Sequence, residues 1–198
     1  MNHEQLAHLV YEALETELGG VEVYEAAIGC AVDAELKREW HEYLEQTRRH
    51  VEIVENLCLA LELDASKETA GRQIVRLKAQ ALVAAMKMAK NAGDPQAAEI
   101  VAAECVVDAE TSDHQNWELL GEAADAIEGH HAKRALIRAC DLVEDEEDEH
   151  LYHTMGWARE LRIKALGLPA VLPPPEEEKH VRTAIGAARA RLARTEML

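Results

Sequence analysis

The sequence predicts an all-α protein, and three observations carry that prediction. Ala, Leu and Glu are abundant while turn-forming residues are scarce. Apolar residues recur at three- and four-residue spacing over long stretches. The stretches are separated by only a few polar or Gly/Pro breaks. With 198 residues, 48% of them hydrophobic, the chain can build one sizeable core plus an extension. We expect a helical bundle over residues 1–167 and, over 168–198, a Pro-rich linker followed by a short amphipathic helix.

The first helix is expected from Glu4 to Ala31, with Leu6, Leu9/Val10, Ala13/Leu14, Glu17, Val21, Tyr24 and Ile28 as its inner stripe. Glu17 interrupts that stripe, and Tyr24 lies two turns further along the same face. A phenol there can hydrogen-bond or pass an electron near a metal, or it can be a core tyrosine with a satisfied hydroxyl. Gly19 and Gly20 are unfavourable in a helix interior unless backbones approach closely or the helix bulges.

Asp33 is the N-cap of a second helix, Glu35 to Leu61. Its inner stripe reads Leu36, Trp40, Tyr43, Thr47, His50, Val54, Leu57 and Leu61. His50 faces inward, Glu45 outward, and Gln46 is the nearest oxygen one turn before His50. After a polar break at Leu63–Glu68, Thr69 to Asn91 forms a helix with no inward acid. Gly93-Asp94-Pro95 then ends one helix and starts the next, with Gly at C′, Asp as N-cap and Pro at N1.

The helix from Pro95 to Glu128 places Ile100, Ala103, Val107, Glu110, His114, Trp117, Gly121 and Ala124 inward. Glu110 and Trp117 repeat the seven-residue offset of Glu17 and Tyr24. The last long helix carries the stripe Leu136, Cys140, Val143, Glu147, His150, Thr154, Trp157 and Leu161, ends near Leu166, and is followed by Gly167 and Pro169. Each half of the chain thus offers a helix with an inward Glu followed by a helix with an inward His.

A buried carboxylate or imidazole is costly without a partner or a metal. Glu147-x-x-His150 is the Glu-x-x-His pair of carboxylate-bridged di-metal bundles. Read alone, the acidic run Glu144–Glu149 is equally a solvated face. Inward polar residues on four helices together favour a metal over a hydrogen-bonded network. Cys30, Cys58, Cys105 and Cys140 are scattered, with no Cys-x-x-Cys pair, and read as structural thiols in a reducing compartment.

On these residues the chain resembles the ferritin-like di-iron carboxylate superfamily, in particular the bacterial YciE/YciF-type ferritin-like stress proteins. The resemblance spans residues 4–166. It is carried by the helix order, by Tyr43-Leu44-Glu45-Gln46-Thr47 with His50-Val51-Glu52, by Ala102–Leu120 with its Glu110, and by the closing Glu-x-x-His. It implies a four-helix bundle with a long helical crossover between bundle helices 2 and 3, letting them run parallel. It also implies Glu17, His50, Glu110, Glu147 and His150 as metal ligands. The chain departs from the family pattern in the second helix, where Gln46 or Thr47 stands in place of a carboxylate. His114 is the candidate to supply the missing donor.

Three carboxylates and two imidazoles suit two iron ions, or iron with manganese, because carboxylates bridge ions and shift between mono- and bidentate binding. The expected activity is oxidation of ferrous iron by O₂, or reduction of peroxide, in stress defence. The alternative is a non-enzymatic metal-binding or structural bundle with a partial site. Cage storage is a weaker expectation, since the C-terminal linker and helix resemble no cage-forming ending. No Ser or Cys nucleophile pairs convincingly with a His, so covalent hydrolysis has no support.

A net charge of −17 argues against nucleic acid as a partner, because phosphate binding needs a basic surface. The start of the chain lacks a basic segment followed by an apolar one, and no apolar run is long enough to span a bilayer. A cytoplasmic protein without membrane partner is expected. The closing segment, Glu176 to Thr195, carries an apolar stripe of Val181, Ile185, Ala188 and Leu192 beside several Arg residues. Docking on the bundle or on a second subunit is expected for it, with a homodimer as the assembly.

Overall fold

The computed structural model describes residues 1–174. The expected C-terminal helix over 176–195 lies outside the described residues. Five helices make up the described chain: α1 (His3–Ile28), α2 (Ala34–Ala60), α3 (Ala70–Asn91), α4 (Pro95–Ala126) and α5 (His130–Ala165). The helix starts follow the local chemistry of the sequence. The side chains of Asn2, Asp33, Thr69 and Asp94 each accept a backbone N–H of the following first turn, and Pro95 occupies N1, where no amide hydrogen is needed. Gly93 (φ 86°) and Gly129 (φ 109°) turn the chain in the left-handed region between helices.

α1 packs against α2 and α4, and α5 completes the ring by packing against the same two helices. α3 lies outside this ring, across α1 and α4. The apolar core has two parts. One gathers Val23, Tyr24 and Ala27 of α1 with Leu36 and Trp40 of α2, Ala102 and Val106 of α4, and Trp157 and Leu161 of α5. The other gathers Val10 and Leu14 with Val54 and Leu57, Trp117 and Leu120, and Leu136 and Val143. The end of α1 therefore meets the starts of α2 and α4 and the end of α5. Thus α1 and α5 run one way, and α2 and α4 the other. The long connection through α3 is what lets α2 and α4 run parallel.

The two glycines of α1 serve two different helix contacts. A Cβ on Gly19 would stand 2.7 Å from the Ala79 Cβ of α3, and one on Gly20 would stand 3.1 Å from the Thr47 methyl of α2. Close approach, and not a bulge, accounts for both, since α1 is continuous through them. The inner stripe of α1 is rotated slightly from expectation: Val23 and Ala27 are buried, while Val21 and Ile28 are half-buried.

α3 is clamped by charge. Glu15 of α1 accepts from Arg72 Nε at 2.8 Å and from Arg76 Nε at 2.6 Å, and Arg72 also donates to the carbonyls of Ala65 and Lys67. The segment before α3 is thereby tied to the bundle. After α5, the backbone N–H of Val171 donates to Glu160 at 2.9 Å and Leu172 packs on the core, so the first residues of the linker lie against the helices. No helix among the described residues is long and apolar enough to cross a membrane.

Candidate metal centre

Between the two apolar clusters lies a polar layer to which all four helices of the ring contribute. Glu17 comes from α1, Gln46, Thr47 and His50 from α2, Glu110 and Asp113 from α4, and Glu147 and His150 from α5; all are buried. The five expected donors thus converge. His50 Nδ1 lies 3.0 Å from Glu147 Oε1 and 3.7 Å from Glu17 Oε2. His150 Nδ1 lies 3.4 Å from Glu147 Oε1 and 3.6 Å from Glu110 Oε2.

These close approaches are not aligned as hydrogen bonds. Among the described residues ten buried side-chain polar atoms have no hydrogen-bond partner. Seven of them are carboxylate oxygens or imidazole nitrogens of this layer: Glu17 Oε2, His50 Nδ1, Glu110 Oε2, Asp113 Oδ1, both oxygens of Glu147 and His150 Nδ1. Unpaired buried polar atoms are rare and costly in folded proteins. Here they cluster and face one another, which fits donors awaiting a cation.

The far side of each imidazole is held. His50 Nε2 donates to Glu146 Oε2 at 2.8 Å, and Arg49 in turn holds Glu146 Oε1 at 2.8 Å. His150 Nε2 donates to Gln46 Oε1 at 2.7 Å. Fixing the proton on Nε2 leaves Nδ1 as the ligand atom when the ring is neutral. Two donor sets result, each with its atoms within 4.8 Å of one another: His50, Glu147 and His150, and Glu17, Asp113 and Glu147. Glu147 is common to both.

The two aromatic residues seven positions after the inward acids lie toward the acid of the other helix. Trp117 Nε1 donates to Glu17 Oε1 at 2.9 Å, across from its own helix. The Tyr24 phenol is pushed well above its ordinary range by burial and by the facing charge of Glu110. Its ring stands edge-on to His150 with centroids 5.8 Å apart. Because α1 and α4 are antiparallel, two turns beyond one acid reaches the level of the other.

Charge in the metal-free layer follows from the same geometry. Burial pushes Glu17 up to about 7, with Glu147 adding to it, against the opposing pull of His50 and Trp117. Burial and the surrounding carboxylates push Asp113 well above its ordinary range. Burial alone would raise Glu147, yet His150 and His50 hold it at about 2. Burial opposes charge on the imidazoles too, but Glu147 and Glu17 raise His50 to about 11, and Glu110 and Glu147 raise His150 to about 9. Without an ion, the layer is an arrangement of carboxylates compensated by protonated imidazoles.

Gln46, Thr47 and His114, the residues expected around the missing second-helix carboxylate, do not join the unpaired atoms of the layer. Thr47 donates its hydroxyl to the Tyr43 carbonyl at 2.9 Å, and Gln46 is engaged with His150. His114 is directed out of the layer, 3.5 Å from Glu118 and 3.6 Å from Asp148. Its neighbour Asp113 points inward in its place. Positions three and four after Glu110 straddle the same face, and the burial pattern 106, 110, 113, 117 selects the first. The only sequence signal for Asp113 was its three-residue spacing from Glu110. Glu146 was legible only as part of an acidic run. That run divides on folding: Glu147 is buried, Glu146, Asp148 and Glu149 are half-buried, and Glu144 and Asp145 are exposed.

All four cysteines are free thiols, three of them buried and Cys140 half-buried, and burial raises the thiols of Cys58, Cys105 and Cys140 to about 11. Such thiols are poor nucleophiles and poor ligands. No family model matches the chain, and no curated protein or solved structure matches it either.

Proposed function

We propose that the polar layer is a di-metal carboxylate centre of the ferritin-like kind, and that the protein oxidises ferrous iron with O₂ or reduces peroxide. The observation that supports this is the set of seven unpartnered, fully enclosed donor atoms contributed by four helices at one level. A hydrogen-bonded network would have paired them. The directions of the helices and the crossover through α3 agree with a ferritin-like bundle.

In this reading His50, His150, Glu147 and Glu110 hold one ion and Glu17, Asp113 and Glu147 a second, with Glu147 shared. Mixed oxygen and imidazole donors suit iron or manganese, which when bound supplies one-electron redox chemistry toward O₂ or peroxide. The chain's own residues prepare the site. Gln46 and Glu146 orient the imidazoles, Trp117 orients Glu17, and Tyr24, Trp40 and Trp157 close the layer toward one apolar cluster and keep bulk water from that side.

Asp113 replaces the carboxylate absent from α2, and it favours a second, narrower reading. An acid supplied from α4, its pKa driven up by burial and by Glu17, Glu147 and Glu110, is harder to ionise, so the ion it serves binds more weakly. A protein with one firm ion and one labile ion would then bind metal without rapid turnover.

Anaerobic ferrous titration followed by oxygen exposure tests both readings. The first requires about two ions per chain and consumption of O₂ or peroxide at a rate abolished by Glu147→Ala. One ion per chain and no oxidant consumption supports the narrower reading. No bound transition metal, with Glu147→Ala unchanged from wild type, sinks both and returns the layer to a structural role.

A further inference from the structure

The groove between α4 and α5 encloses about 560 Å³ and is lined by a ladder of acids on each helix. Glu118, Glu122 and Asp125 follow one another on α4 at spacings of four and three, and Glu144 and Asp148 face them from α5. Among the described residues no Lys or Arg lines it, and the one basic side chain there is His114, poised between Glu118 and Asp148. Like charges lining one groove repel, a cost that a passing cation relieves.

Two further features give the groove a direction. Its inner wall includes Glu147, which is 1% exposed and has no hydrogen-bond partner on either oxygen. Gly121 also lines it, and a Cβ built there meets nothing within 4 Å. Glycine is a poor choice for a helix interior, and its missing side chain leaves the groove open. The groove between α1, α3 and α4 makes a contrast: Lys78 lines it and none of the centre's donors does.

We propose that the α4–α5 groove is the route by which a divalent cation passes from solvent to Glu147, gripped in transit between His114 and Asp148. The inference rests on the metal-centre reading above. A cleft lined by one sign of charge raises the local concentration of the opposite ion and speeds its capture. A nitrogen and a carboxylate oxygen suit first-row divalent ions, and two ligands at a half-open position hold them only briefly.

Capture of Co²⁺ alone by the full chain, followed in stopped flow by quenching of tryptophan fluorescence, tests the route. Glu118→Gln/Glu122→Gln/Glu144→Gln should slow capture by about tenfold and flatten its dependence on ionic strength. Gly121→Phe should slow it with the salt dependence retained. Glu22→Gln/Glu42→Gln/Glu52→Gln, an equal charge change at exposed positions of α1 and α2, should leave it unchanged. Co²⁺ bound at equilibrium should be the same in all. His114→Ala tests the grip: a lost ligand slows capture, and an unchanged or faster rate overturns the grip.

Wild-type rates in both groove variants, or equal slowing in the exposed control, overturn the route while leaving the centre intact. Loss of a bound ion in the groove triple variant would make those acids ligands and also overturn it. Wild-type protein that takes up no Co²⁺ overturns the centre, and the route falls with it.

Discussion

The side-chain oxygen of Gln46 accepts the Nε2 proton of His150 at 2.7 Å, and this one bond decides which nitrogen of His150 faces Glu110 and Glu147. From the sequence alone Gln46 reads as a substitute for a missing ligand. In the fold it is the group that orients the His150 imidazole. Gln46→Ala should therefore weaken metal binding by about 10- to 100-fold without lowering the final number of ions. Gln46→Glu should retain affinity and add no ion. Anaerobic titration checks both, and an extra ion in Gln46→Glu would restore the ligand role.

Trp117→Phe removes the indole N–H that donates to Glu17 Oε1 while keeping an aromatic ring in the apolar cluster. Glu17 loses its orientation, and affinity for the ion it serves should fall by about tenfold. An ion at the His50 and His150 set of the proposed centre should be unaffected. A two-phase titration in which only the weaker phase moves is the expected result, and equal weakening of both phases would contradict it.

The metal-free protein should lose stability as pH rises. His150, held at about 9, and His50, held at about 11, lie above their ordinary 6.5. Their paired, charged state stabilises the fold fully below about pH 6.5 and is lost as pH rises through about 9 and beyond. Glu17, raised from 4.5 to about 7, acts in the same direction, its contribution full below 4.5 and gone above about 7. Glu147, lowered from 4.5 to about 2, acts oppositely, its stabilisation present above about pH 4.5 and lost as pH falls toward about 2. Melts in chelator between about pH 5 and 9 should show Tm falling, and saturating Mn²⁺ should flatten the slope because metal replaces the protons. Parallel slopes with and without Mn²⁺ would mean the ion binds elsewhere.

Two glycines in helix interiors should respond in opposite senses to alanine. Gly121→Ala places its methyl in open space and should stabilise by about 0.5–1 kcal/mol. Gly19→Ala drives a methyl to 2.7 Å from Ala79 and should destabilise by about 1–3 kcal/mol through overpacking. Ala79→Gly in the Gly19→Ala background should recover much of that loss. Urea unfolding measures all three, and a stabilised Gly19→Ala would mean that α3 can move away freely.

Removing the Glu15 charge should loosen α3. Arg72 is buried, and Glu15→Gln leaves its charge without a carboxylate, at a cost of about 3–5 kcal/mol. The Glu15 carboxyl is held below its ordinary value because Arg76 and Arg72 outweigh the opposing effect of burial. Its stabilisation is therefore present above about pH 4.5 and fades as pH falls further. Protection of α3 amides in hydrogen exchange should drop in the variant before that of α5, and uniform loss across all helices would argue against a local clamp.

The sequence by itself determined the helices, their caps and most of the polar residues of the buried layer, because these depend on local chemistry and on a 3.6-residue repeat. Asp33, Asp94 and Pro95 mark helix starts in any context, and Glu17, His50, Glu110, Glu147 and His150 stand out as polar residues on apolar stripes. What only the tertiary structure decided depends on partners distant in the chain. His114 and Asp113 are adjacent and both compatible with the α4 stripe; packing against α1 and α5 turns the second inward and leaves the first at the groove. Trp117 serves Glu17 and not Glu110 because antiparallel helices bring opposite ends of the two stripes to one level. Glu146 and Gln46 acquire their roles only across the α2–α5 contact, where each meets an imidazole one hundred residues or so away, a separation at which no spacing rule operates.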